Sequence, residues 1–156
     1  MAGDDSLLEG NRAYAERGVG ELPPLPRRAL VVLTCMDHRI DPAAALGLEL
    51  GDAMVLRNPG GRVTPQVIED LETLDRIAGA RGASLADLEL VLMQHTLCGA
   101  NALTSTEPRE GVRADLETLA SDPSVPGSIS VTALVYDTET GRVELVERRA
   151  PLREDG

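Results

Sequence analysis

The chain holds two cysteines and two histidines, and they fall into two pairs, Cys35 with His38 and His95 with Cys98. Thiolate sulfur and imidazole nitrogen together select a borderline-soft divalent ion such as zinc. Three such donors leave one tetrahedral position for water, whereas four close the coordination sphere and make a structural staple. The His95-Thr96-Leu97-Cys98 spacing puts two donors on one tight turn, and Cys35 supplies a third. Cys35-x-x-His38 mirrors that spacing, so His38 stands open as a fourth ligand, as a proton relay or as an exposed loop residue. Taken singly, either cysteine reads as a small buried apolar residue and His95 as a satisfied core histidine. Three donors at matched positions outweigh that reading.

Asp37 and Arg39 follow Cys35 by two and four residues. A carboxylate beside a metal site can take the proton of a water there, and a guanidinium clamped to it keeps it ionised and fixed in direction. An isolated Asp-x-Arg would be an ordinary surface ion pair. Its place next to a candidate ligand favours the catalytic role as much as the bland one. A second candidate segment runs from Asn58 to Gly61 after Arg57. Paired glycines allow close backbone approach, so main-chain donors there could face a small anion of bicarbonate size, or form a tight turn with no ligand.

The elements that must carry these residues follow from hydrophobic patterning. Residues 29–34, 53–56 and 88–93 are short apolar runs rich in branched side chains and without alternation, the pattern of strands covered on both faces. Helical pattern lies between them: Asp41-Pro42 opens a short helix, and Thr64-Pro65 opens a longer one whose Val67, Ile68, Leu71, Leu74, Ile77 and Ala78 form one face before Gly79. Strands alternating with helices predict an α/β fold, a mostly parallel central sheet of four to five strands flanked by helices. Cys35 and His38 then sit at the carboxyl end of the first strand, and His95 and Cys98 at that of the third. Ligands collect at such ends, where the strand order reverses. Neighbouring strands would let all four side chains converge.

Residues 99–127 are polar and broken by Pro108, Pro123 and Pro126, with a helix expected over 112–120. A fourth strand is expected over 129–136, turning through 137–142 into a hairpin edge at 143–146. At the other end, residues 6–17 read as a short helix capped by Ser6, and residues 21–28, with Pro23, Pro24 and Pro26, as an extended connector. Residues 1–28 therefore form an arm on a single domain spanning 1–156.

A length of 156 residues allows one domain, which can bury roughly 70% of its unfolded surface. The 42% hydrophobic content suffices, but aromatic content is only 1%, Tyr14 and Tyr136, so aliphatic side chains fill the core and the aromatic platforms that stack bases or sugars are not expected. With 26 acidic against 15 basic residues the net charge of -11 repels phosphate backbones and anionic lipid, which excludes nucleic acid and membrane as partners. No apolar run of about 18 residues and no signal-peptide pattern is visible, so a cytoplasmic location is expected.

Three segments in order, Cys35-Met36-Asp37-His38-Arg39, Arg57-Asn58-Pro59-Gly60-Gly61 and His95-Thr96-Leu97-Cys98-Gly99, resemble the beta-class carbonic anhydrase family. The resemblance runs from about residue 29 to 100. It implies zinc held by Cys35, His95 and Cys98, with Asp37 and Arg39 as a catalytic dyad. The activity implied is reversible hydration of carbon dioxide to bicarbonate, in which zinc makes hydroxide available near neutral pH. Carbonyl sulfide and carbon disulfide hydrolases look similar at the same positions, and a non-catalytic zinc protein closed by His38 or Asp37 is the third possibility. The family resemblance also implies a homodimer or higher homo-oligomer joined through sheets and leading helices. His38 departs from the small residue common at its position in the family.

Overall fold

Apolar runs too short for helices bury themselves as central strands, and three of them do so here, at residues 30–35, 89–95 and 130–136, in a computed structural model that describes residues 5–153. The run at 53–56, expected to be covered on both faces, instead lies in a half-exposed strand at one edge of the sheet. In chain order the elements are α1 (Asp5–Glu16), β1 (Leu30–Cys35), α2 (Pro42–Leu46), β2 (Ala53–Asn58), α3 (Pro65–Gly79), β3 (Glu89–His95), α4 (Gly99–Thr104), α5 (Pro108–Ser121), β4 (Ser130–Tyr136) and β5 (Val143–Arg149). Short 3-10 turns at Pro59–Gly61 and Leu85–Asp87 precede α3 and β3. One five-stranded sheet has the order β2-β1-β3-β4-β5. Its first four strands are parallel, and β5 returns antiparallel to β4 as the edge. The expected α/β architecture, with its leading helix, is the observed one. Residues 1–4 of the expected arm lie outside the described residues.

Every residue of β1 is buried, as the unalternating pattern requires. Val31 and Leu33 of β1 face one layer with α3 and α5, where Leu71, Val112, Leu116 and Leu119 are all at most 1% exposed. Leu30 and Val32 face the other layer with Val91 and Met93 of β3, Ile40, Cys35 and Cys98. That second layer is thinner, covered mainly by the short α2 and the loops, and both cysteines lie in it. The chain leaves β1 toward β2 on one side and returns to β3 on the other, so the sheet's switch point lies between the carboxyl ends of β1 and β3. Loops leaving those two ends diverge and open a crevice.

The helices start where local chemistry allows. Asp41 caps α2 by accepting from the Ala43 and Ala44 amides, and Thr64 caps α3 by accepting from the Val67 amide, each followed by proline at the first turn. Glu107 does the same for α5, which therefore begins at Pro108 and not near residue 112 as patterning alone suggests. The α5 carbonyls at its other end are satisfied by the Arg153 guanidinium, which donates to Leu119, Ala120 and Asp122. By contrast α1 buries none of its residues. Leu7, Leu8 and Tyr14 stay exposed on it.

Leu116 is fully buried where α5 meets the sheet. Leu116→Ala is expected to cost about 3 kcal/mol through lost transfer energy and an uncollapsed cavity. Urea unfolding measures this as a lower midpoint at constant slope, and a loss under about 1 kcal/mol would contradict the packing of α5.

Candidate metal centre

The carboxyl ends of β1 and β3 carry the site. Cys35 closes β1 and His95 closes β3, and the chain then turns through Thr96 and Leu97 to Cys98, which stands at the N-terminus of α4. Leu97 takes a left-handed backbone conformation (φ 55°), uncommon outside glycine, which tightens the turn enough to bring Cys98 back beside His95. The two sulfurs and a ring nitrogen of His95 all lie within 4.8 Å of one another, and all three residues are at most 5% exposed. Parallel pairing of β1 with β3 sets this distance.

His38 does not join them. Its side chain is 93% exposed, with Nδ1 3.9 Å from the Asp37 carboxylate. The fourfold convergence open from the spacing is thus a threefold one, because the loop after Cys35 turns position 38 out to solvent while Ile40 returns to the core.

The hydrogen-bond pattern around the three donors bears on what they can hold. His95 Nδ1 is 2.9 Å from the Thr96 carbonyl, which can only accept, so Nδ1 carries the hydrogen and Nε2 is left with a lone pair. Nε2 is buried and without a hydrogen-bond partner, alone in this among the side-chain atoms of the described residues. Burial lowers the His95 pKa and so keeps the ring neutral. Cys35 Sγ accepts the Gly60 amide hydrogen at 3.2 Å. Burial, with Cys98 beside it, nevertheless raises the Cys35 pKa. An orphaned nitrogen lone pair within reach of two buried sulfurs, one of them already accepting an amide hydrogen, is a donor set that a soft cation would satisfy at once. The residues fit a zinc-type ion.

Asp37 sits beside this cluster, directed at Arg39. The Arg39 Nε and Nη2 donate to the two carboxylate oxygens at 2.9 and 2.7 Å, and the Arg39 amide donates to Oδ1 at 2.9 Å. The Arg39 guanidinium holds the Asp37 carboxyl well below the usual carboxylate range. The same guanidinium donates to the Leu97 carbonyl at 3.0 Å, so it ties the loop after β1 to the turn after β3.

The contacts of three further residues were not visible in the sequence. Arg57 donates to the carbonyls of Cys35, Asp37 and Ile40 at 3.0, 2.8 and 3.0 Å and fixes the loop that carries Asp37. Leu97 offers its carbonyl to Arg39. Gly60 spends its amide on Cys35 Sγ, so in the segment 58–61, open to an anion cradle or a ligand-free turn, this main-chain donor braces a sulfur. The glycine pair was the visible signal, but nothing in it named the partner.

A family model described as carbonic anhydrase matches residues 30–119. Beta-carbonic anhydrase 1 of Mycobacterium tuberculosis is 30% identical over 94% of this chain and 99% of its own length. A carbon disulfide hydrolase of Saccharolobus solfataricus is 33% identical over 93% of this chain and 89% of its own. Among solved structures, a carbonic anhydrase from Streptococcus mutans superposes with a TM-score of 0.82 at 34% identity, covering 94% of this chain and 99% of that one.

Gly61 has φ 62°, and a Cβ there would lie 2.7 Å from the Cys35 nitrogen and 2.8 Å from the Thr34 carbonyl carbon. Gly61→Ala is expected to lose about 2 kcal/mol or more and to weaken metal retention, because backbone and not a flexible side chain blocks the space. Gly99→Ala, with no atom within 4 Å of the new Cβ, is the matched control and should stay within about 0.5 kcal/mol of the parent. Denaturant unfolding with metal analysis checks both, and equal behaviour of the pair would contradict the close approach.

Proposed function

The chain belongs to the beta-class carbonic anhydrase family, and we propose on that premise that it is a zinc-dependent carbonic anhydrase hydrating carbon dioxide reversibly to bicarbonate. Cys35, His95 and Cys98 hold the ion, and Asp37 with Arg39 forms the catalytic pair. The observation that carries this reading is the buried Nε2 lone pair of His95 without a partner, set within 4.8 Å of two sulfurs. Three protein donors, with His38 turned to solvent, leave the fourth tetrahedral position free, as a catalytic rather than structural zinc site requires.

Zinc, when bound, brings the pKa of water at its open position to about 7, so that hydroxide is available near neutral pH. The remaining work belongs to the chain. His95 is fixed in tautomer and direction by Nδ1–H donating to the Thr96 carbonyl, and presents Nε2 as a permanent acceptor of the ion. Asp37 stays ionised because Arg39 grips both of its oxygens. A free lone pair on that carboxylate can accept the hydrogen of the nucleophile and aim its oxygen at the substrate carbon. Arg39 decides which way Asp37 faces: while the pair is closed the carboxylate would be held off a bound ion, and released from Arg39 it would be free to act as a further ligand. The product proton leaves by solvent, and His38, exposed beside Asp37, is the side chain placed to pass it on.

A second reading, hydrolysis of carbon disulfide or carbonyl sulfide by the same attack, is favoured by the carbon disulfide hydrolase relative. We also read the chain as one cytoplasmic domain with residues 1–28 as an arm, and as a homodimer or higher homo-oligomer. The unburied α1, with Leu7, Leu8 and Tyr14 exposed, supports an arm that packs on a second copy. No helix among the described residues is long and apolar enough to cross a membrane.

Purified protein is expected to carry one zinc per chain, and Cys98→Ser to lose most of it; full retention in that variant would reject the ligand set. Asp37→Ala and Arg39→Ala should keep zinc and lower kcat/KM for carbon dioxide in stopped flow by roughly 10- to 100-fold. Unchanged rates would remove the pair from the mechanism. Hydrolysis of carbon disulfide or carbonyl sulfide without hydration of carbon dioxide would establish the second reading. His38→Ala should retain zinc and slow turnover most at low buffer concentration.

A further inference from the structure

A buried carboxylate that the proposed chemistry does not use is hydrogen-bonded to residues neighbouring the three donors in sequence. Asp115 projects from the middle of α5 and is 2% exposed. Arg62 forks onto it, Nε to Oδ2 at 2.8 Å and Nη2 to Oδ1 at 3.0 Å. Oδ2 also accepts the Gln94 amide at 2.8 Å, and the Gln94 oxygen in turn accepts from Asn101 Nδ2 at 3.3 Å. Gln94 and Asn101 are 0% and 4% exposed. Asp115 is therefore an acceptor for three N–H groups, which suits a carboxylate and no other side chain of that size.

Each branch of the network ends at one of the three donors. Arg62 closes the loop that begins at Asn58: the Asn58 side chain accepts from the Arg62 amide and donates to the Arg62 carbonyl, both at 2.8 Å. Gly60, inside that loop, donates to Cys35 Sγ. Gln94 immediately precedes His95 on β3, and Asn101 lies three residues beyond Cys98 in the first turn of α4. A single buried charge thus joins the brace on one sulfur, the strand residue beside the imidazole and the helix that carries the other sulfur. Gly111, one turn before Asp115, allows the approach, since a Cβ there would lie 2.5 Å from the Gln94 oxygen.

We propose that Asp115 is a positioning residue for the metal centre. It acts through Arg62 to hold the Gly60 amide on Cys35, and through Gln94 and Asn101 to hold the backbone from which His95 and Cys98 project. The inference rests on the reading that Cys35, His95 and Cys98 bind zinc. Groups behind the ligands of a metal site commonly change affinity by about 10- to 100-fold when removed, even where the ligands themselves stay in place.

The test uses the full chain, loaded with zinc for dissociation and with cobalt(II) for spectroscopy. Asp115→Asn keeps the shape but replaces one acceptor oxygen by a donor, which must then face Arg62 or Gln94 head on. It is expected to release zinc to a chelator roughly 10-fold faster or more, and to shift the thiolate-to-cobalt absorption. Arg62→Lys keeps the charge, loses the fork and should move both readouts in the same direction by less, which covers the case in which Asp115→Asn does not fold. Leu116→Ala, the adjacent residue on α5, lowers stability without touching the network and should leave the cobalt spectrum and zinc release of the folded protein unchanged. Parent-like spectra and release rates in both Asp115→Asn and Arg62→Lys would overturn the positioning role and leave Asp115 a stabilising group only. The same shift in Leu116→Ala would also overturn it. A parent protein that gives no thiolate-to-cobalt absorption would overturn the metal assignment itself, an outcome separate from either.

Discussion

An imidazole lone pair buried without a hydrogen, facing two sulfurs within 4.8 Å, is the constraint on which the arrangement turns. Burying a polar atom unpaired costs on the order of 1–3 kcal/mol, and nothing in the hydrophobic layer around Val91 and Met93 returns that cost. The fold nonetheless holds His95 so that relief by a proton is blocked: Nδ1 is committed to the Thr96 carbonyl, and burial disfavours the doubly protonated ring. Cys35 is in a similar position, since desolvation opposes its ionisation while the Gly60 amide hydrogen is directed at its sulfur. A cation resolves all of these at once. It would complete the nitrogen, favour the thiolate forms and turn the amide contact into a charge-assisted one.

Two arginines divide the work of shaping the loop after β1. Arg57 spends its donors on three backbone carbonyls and so determines where residues 35–40 run. Arg39 spends its donors on Asp37 and on Leu97, and so determines where the carboxylate faces. The separation matters because a single guanidinium doing both jobs could not release Asp37 without loosening the loop that carries Cys35. Here the loop is clamped by Arg57 through contacts that do not involve the Asp37 carboxylate held by Arg39.

Much of the fold was legible because central parallel strands leave an unmistakable mark: residues 29–34 and 88–93 are the covered strands their unalternating pattern predicts, whereas residues 53–56 carry the same apolar mark and yet form a half-exposed edge strand, because pattern does not say which strand ends the sheet. Their ends were less clear for a physical reason. The second strand continues to Asn58 because Arg57, polar by type, folds its side chain over neighbouring carbonyls; pattern reading stops at Leu56. The short α4 has too few turns to show periodicity, and Pro108 was read as a break when, beside Glu107, it is a helix start. The donor set was legible because chemistry restricts it to few residue types. His38 was not, since its spacing from Cys35 matches that of Cys98 from His95, and only the direction of a loop distinguishes the two. Spacing states what can reach; hydrogen bonds made by distant residues state what does.

Of the local choices that run against intrinsic preference, two lead back to the same place. Gly111 sits inside a helix, where it costs about 1 kcal/mol relative to alanine, and its missing Cβ is the room that Gln94 occupies. Leu97 takes a left-handed conformation that a branched side chain resists, and the result is a carbonyl aimed at Arg39 and a cysteine brought back to His95. Neither has a rationale in its own element: α5 would be a better helix, and the turn after β3 a more relaxed one, without them. Sequences that otherwise agree with their fold at every level concentrate such exceptions where geometry has been imposed for another purpose. Here one exception admits the support behind the donors and the other sets the donors themselves, so the strain in the backbone and the unmet valence of His95 are two expressions of a single requirement.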